Sequence, residues 1–148
     1  MPNHYPRLYL MAAVSFAAMF VLMYAMVDRF SNVFVNLNQA YMAGLMAAPM
    51  VIIEVLLMGS MYPDKRKNAV VLVISLIAGV LFWILIRQQS AIDNAQFLRS
   101  MIPHHAGAVL MCENSRADDA EIQKLCAEIV KSQKAEILLM QRKLEQLD

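Results

Sequence analysis

Three long apolar runs constrain this chain more than any other feature. The first, LYLMAAVSFAAMFVLMYAMV over residues 8–27, carries no charge. At about 1.5 Å per residue, a helix of that length rises about 30 Å, the thickness of a bilayer's hydrocarbon core. A second run, AVVLVISLIAGVLFWILI over residues 69–86, is as β-branched as a buried strand. It is too long for a strand, and a helix satisfies its own backbone in lipid where an open strand cannot. Between them, QAYMAGLMAAPMVIIEVLLMGSM over residues 39–61 reads as another span, with Pro49 and the intramembrane carboxylate Glu54 inside it. Tyr5, Tyr9, Tyr41, Tyr62 and Trp83 fall near the span ends, where amphipathic rings anchor at the interface. The first run has no small-residue cleavage site before Asp28, and two spans follow it, so it reads as a span and not as a signal peptide.

Charge divides the chain in two. Residues 1–87 hold six Lys/Arg and three acids, whereas residues 88–148 hold seven Lys/Arg and nine acids. We therefore expect an all-α protein: a three-span transmembrane domain over 1–87, embedded in membrane lipid, and an extramembrane domain over 88–148. A net charge of +1 leaves no dense basic face for nucleic acid. The loop YPDKRKN, residues 62–68, holds three adjacent basic residues and belongs on the cytoplasmic side. The N-terminus is then cytoplasmic too, and residues 88–148 lie outside, in the periplasm if the membrane is a bacterial inner membrane. Arg29 and Arg87 pull against that orientation.

The outer segment reads as an antiparallel helical hairpin. Over 92–113, Phe97, Met101, Ile102, Ala108, Val109 and Met111 follow a helical period. NSRADD, residues 114–119, is a turn; Asp118 or Asp119 caps the next helix, and Asp118 with Glu121 fits a capping box. The second helix runs to about residue 146, with Ile122, Leu125, Ile129, Ile137, Met140 and Leu144 facing inward. Two helices make little core, so the hairpin is expected to complete a four-helix bundle with another copy or to dock on the membrane domain.

The chemistry concentrates in MIPHHAGAVLMCE, residues 101–113. His104 and His105 point about 100° apart on a helix, so one faces inward and the other faces a flank or a partner chain. Pro103 has no amide hydrogen, which leaves the carbonyl of residue 99 without its helical partner and implies a kink or a local helix start. With the turn centred near residue 119, Cys112 faces Cys126, the histidines face Gln133 and Lys134, and Glu136 lies a turn away. Met101, Gln133, Glu136 and Met140 then gather in one layer with a histidine, and Met111 lies about two turns on. Imidazole with thioether suits copper; imidazole with carboxylate suits zinc or iron. The bland reading is a buried polar network with methionine as core filler. Cys112 and Cys126 are a disulfide, a pair of free thiols or a second soft-metal site.

In the spans, Met42, Met46, Met50 and Glu54 recur every four residues. They form either a thioether track for a soft cation or a packing face with Ala43, Gly44, Ala47 and Ala48. No Ser-His-Asp order, phosphate loop or zinc-protease His-Glu pair is present, so no catalytic residue is assigned.

FLRSMIPHHAGAVLMCE, residues 97–113, resembles the signature of a bacterial family known as domain of unknown function 305, placed among ferritin-like helical bundles. LCAEIVKSQKAEILLM, residues 125–140, resembles the family's second half. Met101, Pro103, His104, His105, Met111, Glu113, Gln133, Glu136 and Met140 fall on family positions. Cys112 and Cys126 stand where alanine is usual, and Lys143 where many members have tryptophan. Some members are associated with copper binding and tolerance. The resemblance implies a copper-related role; joined to the spans and the missing core, it gives a membrane-anchored, homo-oligomeric protein for copper binding, tolerance or delivery to a metal-handling partner. In that reading, His104 and His105 hold the ion, Met101, Met111 and Met140 are soft donors, and Glu136 or Gln133 orients an imidazole. A scaffold without bound metal and a ferritin-like metal oxidase are the alternatives.

Overall fold

The computed structural model describes residues 4–147. Among these the chain is helical throughout, without strands. Its long helices are α1 (Tyr5–Leu22), α2 (Leu37–Leu57), α3 (Lys65–Gln88), α4 (Asn94–Glu113) and α5 (Ala120–Glu145). Short 3-10 turns at Met23–Met26, Phe30–Asn32 and Gly59–Met61 complete it. With the turn that extends α1, the segments Tyr5–Met26, Leu37–Leu57 and Lys65–Gln88 are long and apolar enough to cross a membrane. Their large side chains point outward: Leu57 is 78 % exposed and Ile77 61 %. That is the inverse of a water-soluble helix, which hides such residues, and it suits lipid as the surrounding solvent.

Side-chain caps set the helix starts. Asp64 opens α3 by accepting from the amides of Arg66 and Lys67. Asp93 opens α4 by accepting from Gln96 N at 2.7 Å. Asp119 opens α5 by accepting from Glu121 N at 2.9 Å and Ile122 N at 3.0 Å. Of the two aspartates expected there, Asp119 is the cap, and the Asp118 capping box does not form. α3 ends at Gln89 in the left-handed region, φ 51°, whose amide bonds back to Ile86 and Leu85 carbonyls.

The chain divides into two compact units. One comprises the chain up to Leu22 together with Asn38–Ser90. Its core gathers Tyr5, Leu8, Val51, Val55, Tyr62 and Val71. Tyr5 donates to Asn68 Oδ1 at 2.7 Å, and Asn68 Nδ2 donates to the Tyr62 carbonyl at 2.8 Å. Further along, Gly44 of α2 lies so close beneath the Phe82 ring of α3 that a Cβ there would overlap the ring.

The other unit comprises Met23–Leu37 and the chain from Ala91 onward. α4 and α5 share a core of Ile102, Ala106, Val109, Ile137 and Leu144, against which Val27 and Phe34 of the 23–37 connector pack. The connector between the first two spans belongs with the outer helices and supplies part of the core that two helices lack.

Candidate functional site

His105 is the buried member of the adjacent histidines; His104 is exposed. Their rings sit edge to face at 5.9 Å between centroids. His105 Nδ1 lies 2.9 Å from the Met101 carbonyl oxygen. A carbonyl only accepts, so Nδ1 carries a proton and donates it. Nε2 lies 2.8 Å from Glu136 Oε2. An ionised carboxylate also only accepts, so this contact holds a proton between ring and carboxyl. The His105 side chain is 11 % exposed and that of Glu136 is 50 %, so the pair sits where the α4–α5 core meets its surface.

The turn-based register placed Glu136 a turn away from the histidines; in the structure it is the direct partner of His105. Gln133 and Met140 are half-buried, one turn before and one turn after Glu136 on α5. Met101 is half-buried one turn before His105 on α4, and Met111 is exposed farther along that helix. Met101, His105 and Glu136 therefore meet, through the Met101 backbone. Met111 stands apart, near the end of α4 where Glu113 pairs with Lys134 of α5.

Pro103 does not start or break α4; it lies inside the helix and is buried. The carbonyl it deprives of an amide belongs to Arg99, and Asn36 Nδ2 donates to that oxygen at 3.3 Å. Asn36 is 3 % exposed and also donates to the Phe34 carbonyl at 2.9 Å. A related contact lies nearby, where Gln141 Nε2 donates to Asn32 Oδ1 at 2.9 Å and Asn32 donates to Asp28 at 2.7 Å. Neither asparagine is marked by the periodicity of the sequence, because each sits in a short connector without apolar phase. The amide-less Pro103 was the one signal that could have prompted a search for a donor to residue 99.

Cys112 and Cys126 are free thiols, both half-buried. Both line the same open pocket beside the α4–α5 turn, and the neighbouring Cys126 thiol, followed by burial, pushes the Cys112 thiol up from its ordinary value. Glu54 is half-buried near the C-terminal end of α2, where it accepts from the Tyr62 hydroxyl at 3.1 Å. Burial, followed by the Glu54 hydrogen bond and charge, pushes the Tyr62 phenol up. Among the described residues, no three His, Cys, Asp or Glu side chains cluster as a metal group.

The chain belongs to the DUF305 family, a domain of unknown function, whose pattern matches residues 86–144. It is also similar over nearly its whole length to an uncharacterized protein of Acanthamoeba polyphaga mimivirus. The identity is 32 % over 144 residues, covering 92 % of this chain and 93 % of the viral protein. That match extends beyond the outer helices into the apolar spans. No solved structure matches the chain.

Proposed function

We propose that this is a membrane-anchored metal-binding protein in which the His105 imidazole, with the Met101 and Met140 thioethers as soft donors and Glu136 orienting the ring, holds a soft or borderline ion, copper foremost. The observation that carries the reading is the tethered imidazole. Its Nδ1 is held on the Met101 carbonyl at 2.9 Å, and its Nε2 is aimed at Glu136 at 2.8 Å. Metal-binding histidines are oriented in this way, with the second ring nitrogen donating to a carbonyl. A metal at Nε2 would replace the proton now shared with Glu136, so acidification should expel it. Met101 and Met140, one turn from His105 and Glu136 on their own helices, are the thioethers nearest in sequence. Imidazole with thioether favours copper over zinc or iron.

One copy offers too few donors to complete such a site, which fits an oligomer. α4 exposes or half-exposes Phe97, Met101, His104, Ala108 and Met111, and α5 does the same with Ile122, Leu125, Ile129, Glu136 and Leu139. The α4 residues alternate intervals of four and three, the spacing of a helix–helix seam. Two copies of an antiparallel α4–α5 hairpin meeting along these stripes would form a four-helix bundle and bring His104 and Met101 into the seam.

The orientation follows from the same parts. Lys65, Arg66 and Lys67 favour the cytoplasmic side for the α2–α3 loop. A three-span path then puts connector 23–37 and the outer helices on one opposite face, which agrees with their sharing a unit.

A second reading is favoured by the occupied Nε2: His105–Glu136 is a helix-joining ion pair in a scaffold that binds no metal. Elemental analysis of the detergent-purified chain, with copper titrated under reducing and oxidising conditions, separates the two. Near-stoichiometric metal that is lost in His105→Ala and reduced in His104→Ala is the expected result. Absence of copper, zinc and iron under both conditions, with His105→Ala lowering only the melting temperature, would overturn the metal reading in favour of the scaffold.

A further inference from the structure

Cys112 and Cys126 are the only two cysteines in the chain. They come together from the end of α4 and the start of α5, on either side of the connecting turn, and neither is bonded. Both line one open pocket of about 530 Å³, shared with Ser115, Gln123 and Val130. Among the described residues, no charged side chain lines that pocket. Free cysteine is among the most buried of residue types, held inside by its apolar sulfur. Here both cysteines, half-buried, line a pocket open to solvent at the edge of the helix pair, so core burial does not account for them.

We propose that Cys112 and Cys126 form a thiol–disulfide redox pair that closes by exchange with a small-molecule disulfide and staples the α4–α5 turn. One protein thiolate attacks a sulfur of the small disulfide, forming a mixed disulfide and releasing one small thiol. The neighbouring protein thiol, losing its proton, attacks the protein-bound sulfur and expels the second small thiol. The two protein sulfurs are oxidised, the two sulfurs of the small disulfide are reduced, and the two protein S–H hydrogens end on the departing thiols. Exchange needs the attacking sulfur to reach its target and the resolving sulfur to stand beside it. The open pocket meets the first requirement, and the presence of both cysteines on its lining meets the second. The open pair leaves the turn held by noncovalent contacts alone; the closed pair locks the ends of α4 and α5 together. This assignment does not depend on metal at His105, which lies about two helical turns from Cys112.

The test uses the full chain in detergent, treated with dithiothreitol and a chelator, then with oxidised glutathione, and finally denatured and alkylated with N-ethylmaleimide for intact mass. Reduced protein should take up two maleimides. Oxidised protein should take up none, weigh two hydrogens less than the reduced form, remain a single chain, and melt at a higher temperature. Cys112→Ser and Cys126→Ser should each stop at a glutathione adduct, which shows that the second thiol resolves the first. Two maleimides retained after oxidation, two stable glutathione adducts on the native chain, or only interchain dimers would each overturn the proposal.

Discussion

The carbonyl of Arg99 shows how the covalent chemistry of one residue fixes the role of another far along the chain. Pro103 cannot donate to it, and a buried carbonyl left alone costs about 1–3 kcal/mol. Asn36, 63 positions away in sequence, donates to it instead. Asn36→Ala should therefore destabilise the outer unit by about 1–3 kcal/mol in chemical denaturation. The effect should shrink in a Pro103→Ala background, where the alanine amide supplies the missing donor. A double-mutant cycle measures that coupling directly. Equal losses in both backgrounds would mean that Asn36 acts only through its donation to the Phe34 carbonyl and, at 3.4 Å, to the Tyr24 hydroxyl. His105 belongs to the same turn of α4, and its Nδ1 rests on the Met101 carbonyl; a strained or frayed turn at Pro103 would misaim the ring. Loosening the Asn36 contact should thus also weaken metal uptake if His105 is the ligand.

At the scale of the elements, closeness and caps decide what each helix tolerates. Gly44 has no room for a side chain beneath Phe82. Gly44→Ala should cost about 1–3 kcal/mol through overpacking and be partly rescued by Phe82→Leu. Gly107→Ala meets only Met26, its carbonyl oxygen at 3.5 Å and its Cβ at 4.0 Å, both ordinary contacts, and should be tolerated. Thermal unfolding in detergent compares the two. At the start of α3, the Lys67 amide chiefly holds the Asp64 carboxyl below its usual range, helped by the Lys67 charge and the Arg66 amide. A carboxylate with a depressed folded value stabilises the fold above its unfolded value, and that contribution is lost as pH falls through the folded value. Protection of the Arg66 and Lys67 amides, relative to their intrinsic exchange rates, should fall in acid below the ordinary carboxylate range, whereas Asp64→Asn should flatten that dependence. The three apolar helices were legible as runs, because hydrophobic length needs no partner to be read. The α4–α5 turn and the Cys112–Cys126 pairing were legible from turn residues and register. The Glu136 contact was displaced, because a register counted from a turn accumulates error with distance while side-chain reach absorbs it. The 23–37 connector was read only as a loop, since a polar side chain satisfying a distant carbonyl leaves no periodic trace.

At the scale of the whole molecule, apolar surface on the outer unit remains after its own core is filled. Phe97 is 49 % exposed, Met111 55 %, Leu125 55 % and Leu139 51 %. Those on α4 and α5 fall on the stripes described above, while Leu138, 60 % exposed, points to another side of α5. Lipid cannot account for a seam that includes His104 and Glu136, because charged and polar groups resist hydrocarbon. A second copy of the same helices can, and it would add the donors that one copy lacks. Light scattering of the detergent-solubilised chain should show a dimer. Met111→Glu and Leu125→Glu should each weaken it by about tenfold or more, as the loss of a buried apolar contact does. Leu138→Glu should leave the mass unchanged. The proposed seam includes His104, with His105 beside it, so under that reading metal content should fall with the dimer in the two stripe variants and hold in Leu138→Glu. A native chain that is monomeric at all concentrations yet fully metal-loaded would place the whole site within one copy and remove the bundle from the account.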